Sequence, residues 1–591
     1  MKFFNIKDQK IPQVILVGFL CLWLFLGGIA AGWVCVPVIL PDEFGYWAQA
    51  ANMAGMDWKE IVSHHSWYSF GYGILMLPFV KLLSNPIAAY RVVTGINFLL
   101  MGGSTLLLYQ ILSKLCVTPD KKKTAVVSGA AMIYVSYLTY AHTTMAESLL
   151  TFLYVLLAYG LYLWFAEKKA GSLILVLLTA GYMYTVHMRS IGILLAAALV
   201  WLAFVWSSRE KKAGARVLVT MLLVIGFITI LLVQNMGKTR LINSVNAEGF
   251  HMLTRGNDYA GQWNKLKFLF SLKGIGYFFT GLFGKIFYLG CASFGLYYWG
   301  MAYLIKKGKE LFSSLKKREV CRWENWFCLW LLLSHVAALL VSTLYCIRTN
   351  RLDGILYGRY HENTLPFITA FGIAALLSKP KPKERILWLI GLAGAGFFFV
   401  YTMLRSGQIG YTNRHSITGI LYALSLAGFY DGTTVLYAYL GCLLGGMLLL
   451  ALRMVKKHGA GLLLTGIICI QLANAAYAVR FLIYPSVQNQ REDMEGIWQA
   501  KQLADEKGVT AFYYLCGGAD KSIYTLQYAL WDTPLHLMEK EKLADMTAGS
   551  VLEDAGEVFL IVPTGDESAE NISPYYTEVI RTPHYEIYFT Q

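Results

Sequence analysis

Charge is scarce in this chain. Asp, Glu, Lys and Arg make up 15% of its 591 residues, hydrophobic residues 56%, and the mean hydropathy is +0.49. A soluble protein of this length could not hide so much apolar surface, whereas a polytopic membrane protein presents it to lipid. Paired cysteines are missing as well. The ten Cys stand singly, mostly inside hydrophobic segments, with no CxxC or Cys/His spacing, which argues against a zinc module. Cys516 has no obvious mate in the polar tail, which argues against a disulfide framework there. No basic stripe with interleaved aromatics is present, so nucleic acid is not an expected partner. There is no repeat of fixed period and no low-complexity tract. The first apolar stretch, after Lys2, Lys7 and Lys10, is far longer than a signal-peptide core and lacks a small-residue cleavage site, so it reads as a retained span.

What charge there is lies unevenly. The net charge is +15, yet from Pro485 onward there are 7 Lys/Arg against 18 Asp/Glu, and before it 44 against 18. The positive excess belongs to short connections between apolar runs, around Lys121–Lys123, Lys168–Lys169, Arg209–Arg216, Lys306–Arg322, Lys379–Arg385 and Arg453–Lys457. The positive-inside rule puts all of them on the cytoplasmic side. That assignment closes with thirteen spans, near 12–36, 91–112, 124–141, 143–165, 171–188, 190–207, 216–235, 280–305, 325–346, 363–378, 385–404, 433–453 and 459–483. The expected fold is therefore an all-α polytopic membrane domain over 1–484, with a small extracytoplasmic α/β domain over 485–591. The long loops 37–90, 236–279, 347–362 and 405–432 fall on the outer side, and Tyr68–Leu83 reads as an interfacial or re-entrant helix. In the tail, apolar alternation predicts strands at Thr510–Leu515, Leu535–Met538 and Val558–Val562, and a final pair ending at Tyr585–Phe589, with helices over Glu492–Glu506 and Lys521–Leu530.

The outer side collects the polar residues worth attention. Asp42-Glu43 lies where the first span ends, and carboxylates at a span mouth are costly unless they face water or a partner. His64 and His65 precede Trp67, Tyr68 and Tyr72, and that segment runs on to Tyr90-Arg91. Glu147 follows His142, Arg189 follows His187 in a short turn, and Arg359-Tyr360-His361-Glu362 precedes a late span.

In this order the motifs resemble those of the GT-C superfamily of membrane glycosyltransferases. Within it, the branch of protein O-mannosyltransferases and lipid A aminoarabinose transferases is the most similar. The resemblance covers nearly the whole chain in architecture: an acidic motif after span one, interfacial helices ending at an Arg, a second acid in the next outer loop, and Arg-Tyr before a late span. It implies a sugar donor on a polyprenyl phosphate, an extracytoplasmic acceptor hydroxyl, inversion at the anomeric carbon, and a site at the outer face of a bacterial plasma membrane. Asp42 takes the role of general base, with Glu43 as neighbour or substitute, because a hydroxyl is a poor nucleophile until a carboxylate takes its proton. Glu147 matches the second acidic position, where relatives usually carry Asp. Arg189, Arg359 and Arg91 are candidates for the donor phosphate, since a guanidinium is always charged and binds phosphate with two prongs. His64, His65, Tyr68 and Tyr360 are candidates for substrate contact. His65 and Glu147 are also candidates for holding a divalent metal ion, as are His361 and Glu362.

Other assignments compete with these. Arg at a span end can simply snorkel to headgroups, and outer aromatics can form an interfacial belt. A lipid-linked glycan transporter or flippase would carry charges in mid-span and inverted repeats, neither of which stands out. A polymerase or ligase working without the carboxylate remains a second alternative. The decisive expectation is geometric: Asp42, Glu147, Arg189 and Arg359 should share one polar chamber.

Overall fold

The computed structural model describes residues 6–64, 66–169, 171–207, 213–246, 249–251, 262–347, 351–378, 382–406, 413–428, 431–516, 521–539, 557–572 and 576–590. Most of these form a bundle of apolar helices. Ten are long and apolar enough to cross a membrane, or up to eleven if one bent pair counts as a span. The bent pair is Lys121–Met132 with Val135–Ala141, broken by 60° where one straight span was expected over 124–141. Two other expected spans are shorter apolar helices, Ser172–Val186 and Glu362–Leu377.

Local sequence explains the helix ends. Asn85 accepts a hydrogen bond from the Ala88 N–H at 3.1 Å, and Pro86 fills the first helical position, so Pro86–Lys114 starts sharply. Asp120 caps Lys121–Met132 through the Lys122 N–H. The expected single span over 280–305 divides into Leu272–Ala292 and Leu296–Lys316. Phe294 and Gly295 both take positive φ (51° and 83°) and turn the chain between them. An apolar run conceals such a turn, because its residues differ in backbone angle and not in polarity.

The segment after the first helix is more structured than a loop. Asp42–Ala54 is a helix, followed by Lys59–Ser63 and then by Gly71–Leu82, the last matching most of the helix expected over Tyr68–Leu83. Above these sits the C-terminal unit. Helix Gly459–Lys507 runs unbroken from the bundle into it, through a π-helical segment at Val479–Ile483, so residue 484 lies inside one helix. Five strands follow: β1 (Phe512–Cys516), β2 (Leu535–Glu539), β3 (Phe559–Pro563), β4 (Tyr576–Arg581) and β5 (Tyr585–Thr590). They lie in the order β2-β1-β3-β5-β4, with β1 parallel to β2 and β3, and the β3–β5 and β5–β4 pairs antiparallel.

Aromatic packing fixes this unit to the bundle. Tyr528 and Trp531, at the end of helix Ser522–Leu530, meet Trp47 and Trp58 edge-on with ring centroids 5.3–6.4 Å apart. Their polar tips are satisfied across the same junction: Tyr528 Oη donates to the Pro86 carbonyl at 2.9 Å and Trp531 Nε1 to that of Leu83 at 3.1 Å. On the rim, Glu60 accepts from His536 Nδ1 at 2.9 Å and from the Leu537 N–H at 2.7 Å. The unit is thereby held over the helix that begins with Asp42.

Candidate active site

Asp42 and Glu147 are each the first residue of a helix, Asp42–Ala54 and Glu147–Glu167. A helix N-terminus presents unpaired N–H groups and a partial positive charge, so it is a favourable place for a carboxylate at a membrane boundary. Arg189 sits in the short 3-10 turn Met188–Ser190, and Arg359 in the loop between Leu352–Leu356 and Glu362–Thr364.

The structure brings these four together. Arg359 Nη1 donates to Asp42 Oδ2 at 2.5 Å, Arg359 Nε lies 3.4 Å from Glu147 Oε1, and Arg189 Nη2 donates to the same Glu147 oxygen at 2.9 Å. The result is one chain of ion pairs, Asp42–Arg359–Glu147–Arg189. The side chains of Arg359, Glu147 and Arg189 are 5–7% exposed and that of Asp42 is 18% exposed, so Asp42 is the member that opens outward. Charges this well removed from water persist only when paired. Arg189 Nη1 and Glu147 Oε2 are buried without a hydrogen-bond partner, so a polar group placed there would find a donor and an acceptor.

Aromatic hydroxyls and faces complete the cluster. Tyr68 Oη donates to Asp42 Oδ1. Its ring lies against Gly45, where a Cβ would come within 2.3 Å of Tyr68 Cδ2, so only glycine permits this approach. Tyr360 lies under both guanidinium groups, 4.4 Å from Arg189 Cζ and 5.5 Å from Arg359 Cζ. The loop carrying Arg359 is pinned by the Gly358 N–H donating to the Ser416 carbonyl at 2.7 Å. Beneath it, Glu362 Oε1 accepts from Tyr134 (3.0 Å), Ser136 (2.7 Å) and Tyr288 (2.7 Å). Tyr134 in the bend after Lys121–Met132, and Ser136 in the helix Val135–Ala141 that follows it, are two of those donors.

Burial pushes the Asp42 carboxyl up, but Arg359 and the Tyr68 hydrogen bond outweigh it and hold Asp42 below the usual carboxylate range. Burial, and then Arg359, push His415 down to about 3, so it stands as a neutral imidazole beside Asp42. His415 did not stand out in the sequence. The signal was the polar tetrad Asn413-Arg414-His415-Ser416 in an outer loop that otherwise reads as a connection.

Glu43 occupies a different environment. It is fully buried, and Oε1 accepts from the Val38 and Ile39 N–H groups at 2.9 and 2.8 Å. Oε2 accepts from Tyr90 Oη, the Thr144 N–H and Thr144 Oγ1 at 2.8, 2.7 and 2.6 Å. It ties three segments together and shares no partner with Asp42. Arg91 donates from Nε to the Val34 carbonyl at 3.0 Å, at the end of the first helix. His64 is exposed, and its carbonyl accepts from Tyr524 of the C-terminal unit at 3.3 Å. Neither bond reaches the ion-pair chain. His65 lies outside the described residues. Trp47, Trp67 and Tyr72 are fully buried and serve packing.

The residues around Glu147 do not suit a metal ion. Its bonded oxygen sits between two guanidinium groups, which would repel a divalent cation, and no group of three or more His, Cys, Asp or Glu able to hold one exists among the described residues.

No protein-family model matches the chain, and no curated protein matches it in sequence. Among solved structures, the chain is similar to ArnT from Cupriavidus metallidurans, in the apo state at 14% identity and bound to undecaprenyl phosphate at 13%. Each comparison covers 97% of both chains with a TM-score of 0.48. It is also similar to the archaeal oligosaccharyltransferase AglB from Archaeoglobus fulgidus, solved with an inhibitory peptide and a dolichol-phosphate. That match has 11% identity, 94% of this chain, 70% of that one and a TM-score of 0.40. The arabinofuranosyltransferase AftD from Mycobacteria is similar at 12% identity over 97% of this chain and 40% of that one, with a TM-score of 0.42.

Proposed function

We propose that this protein is a membrane glycosyltransferase that moves a sugar from a polyprenyl-phosphate-linked donor to an acceptor hydroxyl at the extracytoplasmic face of a bacterial plasma membrane. The donor class and the face follow from the sequence resemblance and the loop charges. The observation that carries the reading is the buried chain of ion pairs Asp42–Arg359–Glu147–Arg189, drawn from four distant segments to one end of the bundle.

In the proposed reaction the acceptor oxygen attacks the anomeric carbon as the bond from that carbon to the phosphate oxygen breaks. The electron pair leaves on the phosphate, and the acceptor proton passes to Asp42. Phosphate is a good leaving group and needs little protonation, so the chief demands are to collect the proton and to meet charge on the departing phosphate. Arg359 and Arg189 answer the second demand. Asp42 stays ionised at neutral pH because Arg359 is beside it, which keeps it ready but weakens it as a base. A donor phosphate would compete with Asp42 for Arg359. As that hold loosens, the proton affinity of Asp42 rises when the donor is in place. Glu147 keeps the two guanidinium groups apart and oriented.

The test is release of undecaprenyl phosphate from synthetic undecaprenyl-phosphate-linked sugars by the purified protein. Arg359→Ala should weaken donor binding and slow turnover together, because phosphate recognition acts in both ground and transition states. Donor binding left intact by this variant would contradict the role given to Arg359.

A further inference from the structure

A cavity of about 540 Å³ separates the membrane bundle from the C-terminal unit and reaches Asp42 and His415 at its inner end. Its volume falls in the range of roughly 300–1,000 Å³ usual for small-molecule sites. One wall, Val38–Pro41, is mostly apolar. The facing wall belongs to the helix that rises out of the membrane and to the helix after β1, and it presents Asn489, Gln490, Lys521 and Thr525.

The charges in this cavity are mostly committed. Asp42 is paired with Arg359, Arg351 with Asp353 at 3.1 Å, and Asp493 with His584 at 2.6 Å. Lys521 has no carboxylate partner among the described residues, and neither does the Asn489 amide have a hydrogen-bond partner there. Gln490 accepts from Thr525 Oγ1 at 3.2 Å, which leaves its NH₂ group available to donate. A polyanion would meet the Asp42 and Asp493 carboxylates against one uncommitted cation. A lipid chain would need an apolar lining on more than one side. Side-chain amides, which both give and take hydrogen bonds, and an ammonium group, which only gives them, suit a ligand dense in hydroxyls.

We infer that this cavity is the acceptor subsite and that it takes a hydroxyl-rich glycan, gripped by Asn489, Gln490 and Lys521 with one hydroxyl delivered to Asp42. The inference rests on the glycosyl-transfer reading above and assigns the C-terminal unit a direct part in choosing the acceptor.

Full-length protein in nanodiscs, probed by saturation-transfer NMR, gives the test. The probes are maltopentaose and chitopentaose as neutral glycans, with inorganic polyphosphate and a phosphatidylglycerol micelle as rivals. At least one neutral glycan should bind, and Asn489→Trp, which fills the cavity, should weaken it by about tenfold or more, with a smaller loss in Asn489→Ala. Because Asn489 is on a helix surface, the alanine variant keeps the test valid if the tryptophan variant misfolds. Glycan binding that is absent, equal in both variants and the parent, or weaker than that of polyphosphate or the micelle would overturn the inference. Undecaprenyl phosphate binding, measured alongside, separates the two proposals. If it is retained and is sensitive to Arg359→Ala while glycan binding ignores Asn489, the acceptor subsite alone fails. If undecaprenyl phosphate does not bind the parent protein, the function itself fails.

Discussion

At the residue scale, neighbouring carboxylates in one helical turn have opposite duties. Glu43 receives five hydrogen bonds and is sealed, whereas Asp42 is shared between Tyr68 and Arg359 and opens to a cavity. Glu43→Gln should therefore act on stability: an amide can place an NH₂ group against donors that need an acceptor, at a cost of about 1–3 kcal/mol, read as a lower thermal midpoint. Asp42 should govern activity and its pH dependence. Its pKa lies below the ordinary 3.8, so the ionised form and the stability it brings are present above that value and are lost only as pH falls through the lower folded pKa. Arg359→Gln removes the cation that holds it down, so the acid limb of the kcat/KM profile should move to higher pH in this variant. A limb that stays in place would mean that Asp42 is not the titrating base. Sequence alone pointed to the acidic pair through its position at a span mouth. It could not divide the roles, because the donors that seal Glu43 come from Tyr90 and Thr144, far along the chain.

At the scale of elements, two close approaches set the geometry. Tyr68 reaches Asp42 across Gly45, and the loop bearing Arg359 passes Tyr288 at Gly358, where a Cβ would lie 2.0 Å from Tyr288 Cε1. Gly358→Ala should therefore displace Arg359 and reduce turnover. Tyr68→Phe, which loses only a hydrogen bond to a charged group, should cost roughly tenfold. Turnover at the parent rate in both variants would show that the Asp42 environment does not depend on these contacts. Membrane helices are legible in sequence because apolar length is a one-dimensional signal, and helices matching most expected spans are present. The division at Ser293–Gly295 and the bend before Val135 were not, since they depend on backbone angles within unbroken apolar runs. Helix Asp42–Ala54 was also hidden. Its Trp47 reads as a belt aromatic in sequence, but Tyr528 and Trp531 pack against it.

At the scale of the molecule, the C-terminal unit is locked over the site by buried aromatics and by the Glu60–His536 pair. Burial pushes Glu60 up, but His536 and the Leu537 N–H hold it below its ordinary value, while the hydrogen bond to Glu60 raises His536 above its own value near 6.5. The pair's contribution from His536 is complete below the unfolded value of 6.5 and fades as pH rises through the folded value. Hydrogen exchange over Lys59–Ser63 and β2 should therefore quicken on going from pH 6 to pH 9 beyond the intrinsic chemical increase, and His536→Gln should abolish that excess. An unchanged excess in the variant would assign the docking to the aromatics alone. The strong asymmetry of charge along the chain made a separate acidic unit visible in the sequence. Its junction with the bundle was not visible, because helix Gly459–Lys507 carries the chain across without a break.

The most direct measurement is the single-turnover rate of sugar release from a labelled undecaprenyl-phosphate donor by Asp42→Asn protein, alongside the donor Kd. Asn keeps the shape of Asp42 but removes its capacity to take a proton, together with the charge that holds Arg359. The rate should fall by about 10²–10⁴-fold, as expected for loss of a general base, while the donor Kd is no weaker, because Arg359 is freed for the donor phosphate. Full turnover in Asp42→Asn would contradict the carboxylate mechanism, since Glu43 is sealed and cannot take over its proton.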